Sequence, residues 1–313
     1  MPRALVFPGQ GSQTVGMGKE IYDAFVSARP VFEEVDDTLG QNLSRVMFEG
    51  PETELTLTEN AQPALMTVSI AICRVLQEEG SLVLSDIANF IAGHSLGEYS
   101  ALTAAGSLRL ADTAHLLKLR GKAMQSAVAV DEGKMVAIIG LGLGDVEEVA
   151  EAANAFGICD IANDNAPGQV VLSGGSESIE HAMKLASEKG ARRVLELEVS
   201  APFHCRLLKP AAEVMAEALE TVVISAPSPP LVANVLAESV DDPNLIRGLL
   251  VDQVTQRVRW RESILFMKSQ GVSNLVELGT GKVLTNLCRR IDKELSGHSI
   301  EKPADIEEFI KSI

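Results

Sequence analysis

The chain has 313 residues, 46% of them hydrophobic and 22% charged, a globular composition with room for one large domain or for a domain carrying a smaller one. Its formal net charge is -16, and a field of that sign opposes broad binding to nucleic acid or to anionic membrane surfaces. The apolar run at 4–7 is too short for a signal peptide, and no run approaches the ~20 residues that span a bilayer, so a soluble cytoplasmic protein is expected. Cys73, Cys159, Cys205 and Cys288 are scattered without Cys-x-x-Cys spacing. They read as buried thiols, not as a zinc site or a disulfide framework.

In chain order, residues 4–7 predict a buried strand and Pro8-Gly9-Gln10-Gly11-Ser12-Gln13 a polar, glycine-rich turn. Apolar residues at helical spacing predict a helix over 62–78. Residues 87–92 read as a strand, 96–105 as a helix stopped by Gly106, and 112–129 as a helix opened by Asp112. Strands alternating with helices imply an α/β fold with a mostly parallel sheet. The pattern then changes. Strands at 135–140, 158–163, 169–173 and 193–199 and helices at 145–156 and 176–190 follow the β-α-β-β-α-β order of a ferredoxin-like unit, with an Asn-rich turn over 163–168. Strand candidates at 231–235 and 274–278 and helix candidates at 242–254, 260–270 and 283–293 return to the first pattern, and the Glu- and Lys-rich end reads as a surface helix. The expected architecture is a large α/β-hydrolase-like domain, 1–129 and 204–313, with an inserted ferredoxin-like domain at 130–203.

Gly93-His94-Ser95-Leu96-Gly97 falls between a predicted strand and a predicted helix. A Gly-x-Ser-x-Gly pattern there describes a nucleophile elbow, with the serine exposed at a helix N-terminus where backbone N–H groups stabilise an oxyanion. Chance alone supplies on the order of 0.15 such matches in a chain this long, so the strand-turn-helix context carries the inference. A serine hydroxyl needs a base. Of five histidines, His94 adjoins the serine with its side chain expected to point away, His115 and His181 lie within helices, and His298 sits in the C-terminal tail. His204, in a loop at the predicted domain junction, is the candidate base. At this level esterase, thioesterase and transferase all remain open.

With these residues in place, the chain resembles the malonyl-CoA:acyl-carrier-protein transacylases of bacterial fatty-acid synthesis over nearly its whole length. The resemblance is carried by Phe7-Pro8-Gly9-Gln10-Gly11-Ser12-Gln13, Gly93-His94-Ser95-Leu96-Gly97-Glu98-Tyr99, Arg120-Gly121-Lys122 with Met124-Gln125, and Asn165-Ala166-Pro167-Gly168-Gln169-Val170-Val171. Pro202-Phe203-His204-Cys205, Asn234 and Glu277-Leu278-Gly279 complete it. The resemblance implies that Ser95 is acylated by malonate and that His204 is its base, oriented by a main-chain carbonyl near Gln253 and not by the adjacent Asp252. It implies an oxyanion hole from the N–H groups of Gln10 and Leu96, and Arg120 as a bidentate partner for the malonyl carboxylate. Gln62 and Asn165 would line the pocket. Phe203 matches the malonyl-type residue of related polyketide acyltransferases, where serine accompanies methylmalonyl.

The implied partners are malonyl-CoA and acyl carrier protein, with no nucleic acid, no membrane, no metal and no redox cofactor, and the chain is expected to be monomeric. An acidic carrier would dock on a local basic patch, for which Arg206, Lys209, Arg289 and Arg290 are candidates. The alternatives are a polyketide-feeding acyltransferase, a catalytically silent acyl-CoA or carrier-binding module, and an α/β-hydrolase esterase. The last is disfavoured by chain order, since its histidine follows late and a His-Gly-Gly-Gly loop precedes its serine.

Overall fold

Strand β1 (Arg3–Phe7) lies between β2 (Phe90–Gly93) and β9 (Asn274–Leu278), parallel to both. Its side chains alternate across the sheet. Leu5 and Phe7 enter the larger core on one face, while Ala4 and Val6 enter a second core on the other. A strand buried on both faces reads as a continuous apolar run, which is why 4–7 is legible. Helices Thr58–Glu78 on one side and Trp260–Ser269 and Val283–Ile291 on the other cover it. These elements come from a computed structural model that describes residues 2–129 and 131–313.

The second sheet is antiparallel. Its strands are β3 (Gly133–Ile139), β4 (Cys159–Ala166), β5 (Gln169–Gly175) and β6 (Arg193–Glu196), in spatial order β4-β5-β3-β6. Helices Leu143–Ala153 and Ser176–Glu188 pack on it around a small core of its own. This is the expected β-α-β-β-α-β unit. Val130, the expected first residue of the insert, lies outside the described residues, as does Met1. The first sheet is completed by β7 (Leu231–Val232), β8 (Ser239–Val240) and β10 (Ser296–Ile300), in order β10-β9-β1-β2-β7-β8.

Several boundaries differ from expectation. The strand expected at 87–92 begins at Phe90, because Leu84–Ile87 forms a helical turn. The helix expected from Asp112 begins at Leu110, and Asp112 sits in its first turn bound to Arg109. The Asn-rich turn is mostly strand. Asn163, Asp164 and Asn165 extend β4 through two register shifts, and only 167–168 turn. The cause is tertiary. Asp164 donates its N–H to the Val258 carbonyl, Val258 donates to the Ala162 carbonyl, and Arg261 grips the buried Asp164 carboxylate at 2.7 Å. The edge strand β10 takes up the expected tail around His298, through backbone pairing with β9 that no side-chain period announces.

Among the described residues no helix is long and apolar enough to cross a membrane, and no group of three or more His, Cys, Asp or Glu could hold a metal ion. All four cysteines are buried and unbridged.

Candidate active site

The elbow is forced by sterics. A Cβ at Gly93 would meet the Gly97 carbonyl at 1.9 Å, and one at Gly97 would meet the Phe7 carbonyl oxygen at 2.2 Å. Glycine is the residue that fits at each. Between them Ser95 takes φ 54, a left-handed conformation that costs a non-glycine residue about 1–3 kcal/mol and persists only where its surroundings over-determine it. Asn234 does this. Its Oδ1 accepts from the Ser95 N–H at 2.8 Å, and its Nδ2 donates to the Gly93 carbonyl at 2.6 Å. The serine is thereby held at the N-terminus of helix Gly97–Ala104.

His204 also has a left-handed backbone, φ 58, and is buried. Its Nε2 lies 2.8 Å from Ser95 Oγ, and its Nδ1 lies 2.8 Å from the main-chain oxygen of Gln253. Because a carbonyl only accepts, Nδ1 carries the proton and Nε2 presents its lone pair to the serine hydroxyl. Burial, and then the Arg120 cation, push His204 down to about 3, so the imidazole is neutral near pH 7. That is the protonation state a general base needs.

Arg120, from helix Leu110–Ser126, is 1% exposed. Its Nη1 donates to Gln62 Oε1 at 2.8 Å, and its Nη2 donates to Gln253 Oε1 at 2.8 Å and to Ser95 Oγ at 3.2 Å. The Tyr99 ring lies 5.7 Å from its guanidinium carbon, a favourable cation–π contact. The polar partners are neutral, so a buried positive charge faces the nucleophile with capacity for an anion. Beneath it Glu98 is 1% exposed, and burial pushes its carboxyl up to about 7.

Gln10, Gln62, Ser95, Leu96, Arg120, Phe203 and His204 line one cavity of ≈ 340 Å³, together with Met124, Met135 and Asn163. Among the described residues, the N–H groups of Gln10 and Leu96 have no protein acceptor. The Gln10 loop is steadied by its side chain, which donates to Thr58 Oγ1 at 3.3 Å. Asn165 stands behind the cavity. Its Oδ1 pairs with Nε2 of His94 at 2.8 Å, and the His94 ring packs edge-on against Trp260. His94 thus turns away from the serine hydroxyl, as expected. Among the docking candidates, Arg206 is engaged by Asp160 at 2.7 Å and by Asn154, Arg290 by Gln169, and Lys209 approaches Glu213 at 3.9 Å.

The family model for the acyl transferase domain matches residues 4–300. A malonyl CoA-acyl carrier protein transacylase of Bacillus subtilis is 42% identical over 311 residues, covering 99% of this chain and 96% of that protein. A crystal structure of acyl-carrier-protein-S-malonyltransferase from Bartonella henselae superposes with a TM-score of 0.97 at 54% identity, covering 100% of this chain and 99% of the other. The chain belongs to the malonyl CoA-acyl carrier protein transacylase family. A further solved structure, a type II PKS acyl-carrier protein in complex with its malonyl-transacylase, matches with a TM-score of 0.96 at 40% identity over 100% of both chains.

Within this transacylase scaffold the expected residues Ser95, His204, Arg120, Gln253, Gln62, Gln10 and Leu96 converge, while Asn165 acts one layer back. Two further residues complete the site. Asn234 and Glu98 stand in the motifs that carry the resemblance, yet nothing in the sequence assigns them work. An acidic residue in a first helical turn reads as a solvent-facing partner of the helix dipole. Only the fold turns Glu98 inward.

Proposed function

We propose that the chain transfers the malonyl group from malonyl-CoA to the phosphopantetheine thiol of acyl carrier protein through a malonyl-Ser95 intermediate. The observation that carries this reading is the convergence of the His204 imidazole and the Arg120 guanidinium on one hydroxyl, at 2.8 and 3.2 Å. Base and anion reader thus meet at the nucleophile, as a carboxylate-bearing acyl group requires. His204 takes the proton from Ser95 Oγ as the oxygen attacks the thioester carbon. The oxyanion accepts from the N–H groups of Gln10 and Leu96. The C–S bond then breaks, and His204 returns the proton to the departing CoA sulfur. The carrier thiol repeats the sequence in reverse, giving a ping-pong cycle. The exchange is redox-neutral, and its protons all pass through His204.

Arg120, with Gln62 and Gln253 as its braces, would bind the malonyl carboxylate bidentately. Gln253 also supplies the main-chain acceptor that orients His204. Asn165 supports this pocket through His94, and Phe203 limits its width. Of the described residues, 131–203 would form the inserted domain and 2–129 with 204–313 the large one, with the cavity lined from both. A monomer working in the cytoplasm fits water-soluble substrates. The PKS carrier complex supports polyketide carriers as a second acceptor class. The carrier would meet Lys209, whose contact with Glu213 is long at 3.9 Å, and Arg289, since Arg206 and Arg290 are held by closer partners.

Intact mass spectrometry tests the reading. Malonyl-CoA should add one malonyl unit to the chain and none to Ser95→Ala. No adduct on the unmodified chain would overturn it.

A further inference from the structure

Glu98 is a carboxylate in an expensive place. It is 1% exposed, and its Oε1 has no partner among the described residues. For packing alone, an apolar side chain would cost less. Its Oε2, however, accepts from Gln253 Nε2 at 2.7 Å and from the Asn234 N–H at 3.2 Å.

The Gln253 amide has two ends of similar shape and opposite polarity. Its Nε2 faces Glu98 Oε2, the main-chain oxygen of Ser95 and Asn234 Oδ1, and its Oε1 faces Arg120 Nη2. Turned over, it would set oxygen against three acceptors and nitrogen against a donor. Glu98 makes the shortest of these three Nε2 contacts, 2.7 against 3.0 and 3.4 Å. The chain of contact therefore runs from Glu98 through the Gln253 amide to the guanidinium beside Ser95 Oγ.

We propose that Glu98 is a positioning residue for acyl-group selection, whose side chain fixes the Gln253 amide and thereby aims Arg120, while that side chain touches neither the substrate nor the Ser95 hydroxyl. The inference rests on the malonyl-transfer reading above. Loss of the Glu98 acceptor reaches Arg120 before it reaches the reacting atoms, for two reasons. The main-chain oxygen that orients His204 belongs to helix Pro243–Thr255 and does not depend on the Gln253 side chain. The bonds from the Asn234 side chain to Gly93 and Ser95 do not run through Glu98, which meets only the Asn234 N–H.

The test compares initial rates of Ser95 acylation by malonyl-CoA and by acetyl-CoA, read as adduct mass, in Glu98→Leu, Glu98→Asp and Glu98→Gln. Glu98→Leu removes the acceptor, Glu98→Asp withdraws it by one methylene, and Glu98→Gln keeps an acceptor oxygen without the charge. The malonyl-to-acetyl ratio should fall about tenfold in Glu98→Leu and about threefold in Glu98→Asp, with acetyl loading nearly constant. In Glu98→Gln it should stay near that of the unmodified chain. A purely structural residue would lower both rates together. Parallel loss of the two rates, or an unchanged ratio in Glu98→Asp and in Glu98→Leu, would overturn the proposal, and Glu98→Asp decides alone if Glu98→Leu does not fold. Failure of the unmodified chain to load malonate would instead count against the functional reading.

Discussion

Ser95 and His204 share an uncommon backbone conformation, φ 54 and φ 58, but it is reached differently in each. At the elbow two glycines admit a close approach that no side chain tolerates, a helix starts at once, and the Asn234 side chain clamps the turn that results. The loop before His204 holds no glycine. Residues 200–204 are shaped from outside, by the Gln253 carbonyl on the imidazole and by Asp160, which accepts the Arg206 N–H at 2.9 Å and grips its guanidinium. One half of the catalytic pair carries in its own sequence the glycines that make room for its turn, and the other half relies on its neighbours alone.

The contrast can be broken hardest at Gly93. In Gly93→Ala the new methyl collides with backbone, so the elbow must unmake itself. We expect a loss of about 3 kcal/mol or more in denaturant unfolding, together with loss of malonyl loading. Retained loading would show that the elbow tolerates what its geometry forbids.

Arg120→Ala is expected to have the next largest effect. Malonyl loading should fall on the order of 10²-fold while discrimination against acetyl-CoA shrinks, because the carboxylate loses a buried cation. The same variant tests the electrostatics of the histidine. Burial first and Arg120 second hold His204 down to about 3, so the loading rate should show no acid limb near pH 6.5. Removing the cation raises the imidazole pKa, and the limb should move to higher pH; movement to lower pH would refute the assignment. The sign for stability follows the same logic. The folded imidazole stays neutral while the unfolded one protonates near 6.5, so its contribution is intact above pH 6.5 and lost as pH falls towards 3.

The smallest effect is expected at the held loop. Asp160→Ala removes the anchor two residues from His204. It should cost about 1 kcal/mol and lower loading severalfold, with the malonyl-to-acetyl ratio unchanged. Asp160→Asn, which keeps an acceptor, should recover most of the rate. Equal damage in both would make the charge, and not the hydrogen bond, the anchor.

The legible parts were those whose cause is local. Period and apolar content mark β1, the helix Thr58–Glu78 and the β-α-β-β-α-β unit, and glycine spacing marks the elbow. The candidate base could be singled out by position, since its loop falls where two patterns meet. Roles for Arg120 and Gln253 came with the resemblance alone, because an arginine inside a helix gives no sign of burial. The strands β8 and β10 leave no mark in the sequence pattern because they are short or lie at an edge, held by backbone pairing.

By itself, then, the sequence determined the inner strands of the two sheets, the place of the elbow and the nucleophile, since glycine spacing and hydrophobic period are patterns of residues near in the chain. Tertiary structure decided the orientation of the imidazole, the aim of the guanidinium and the inward turn of Glu98. Those depend on hydrogen bonds between residues up to 158 positions apart, which exist only once the core has brought them together.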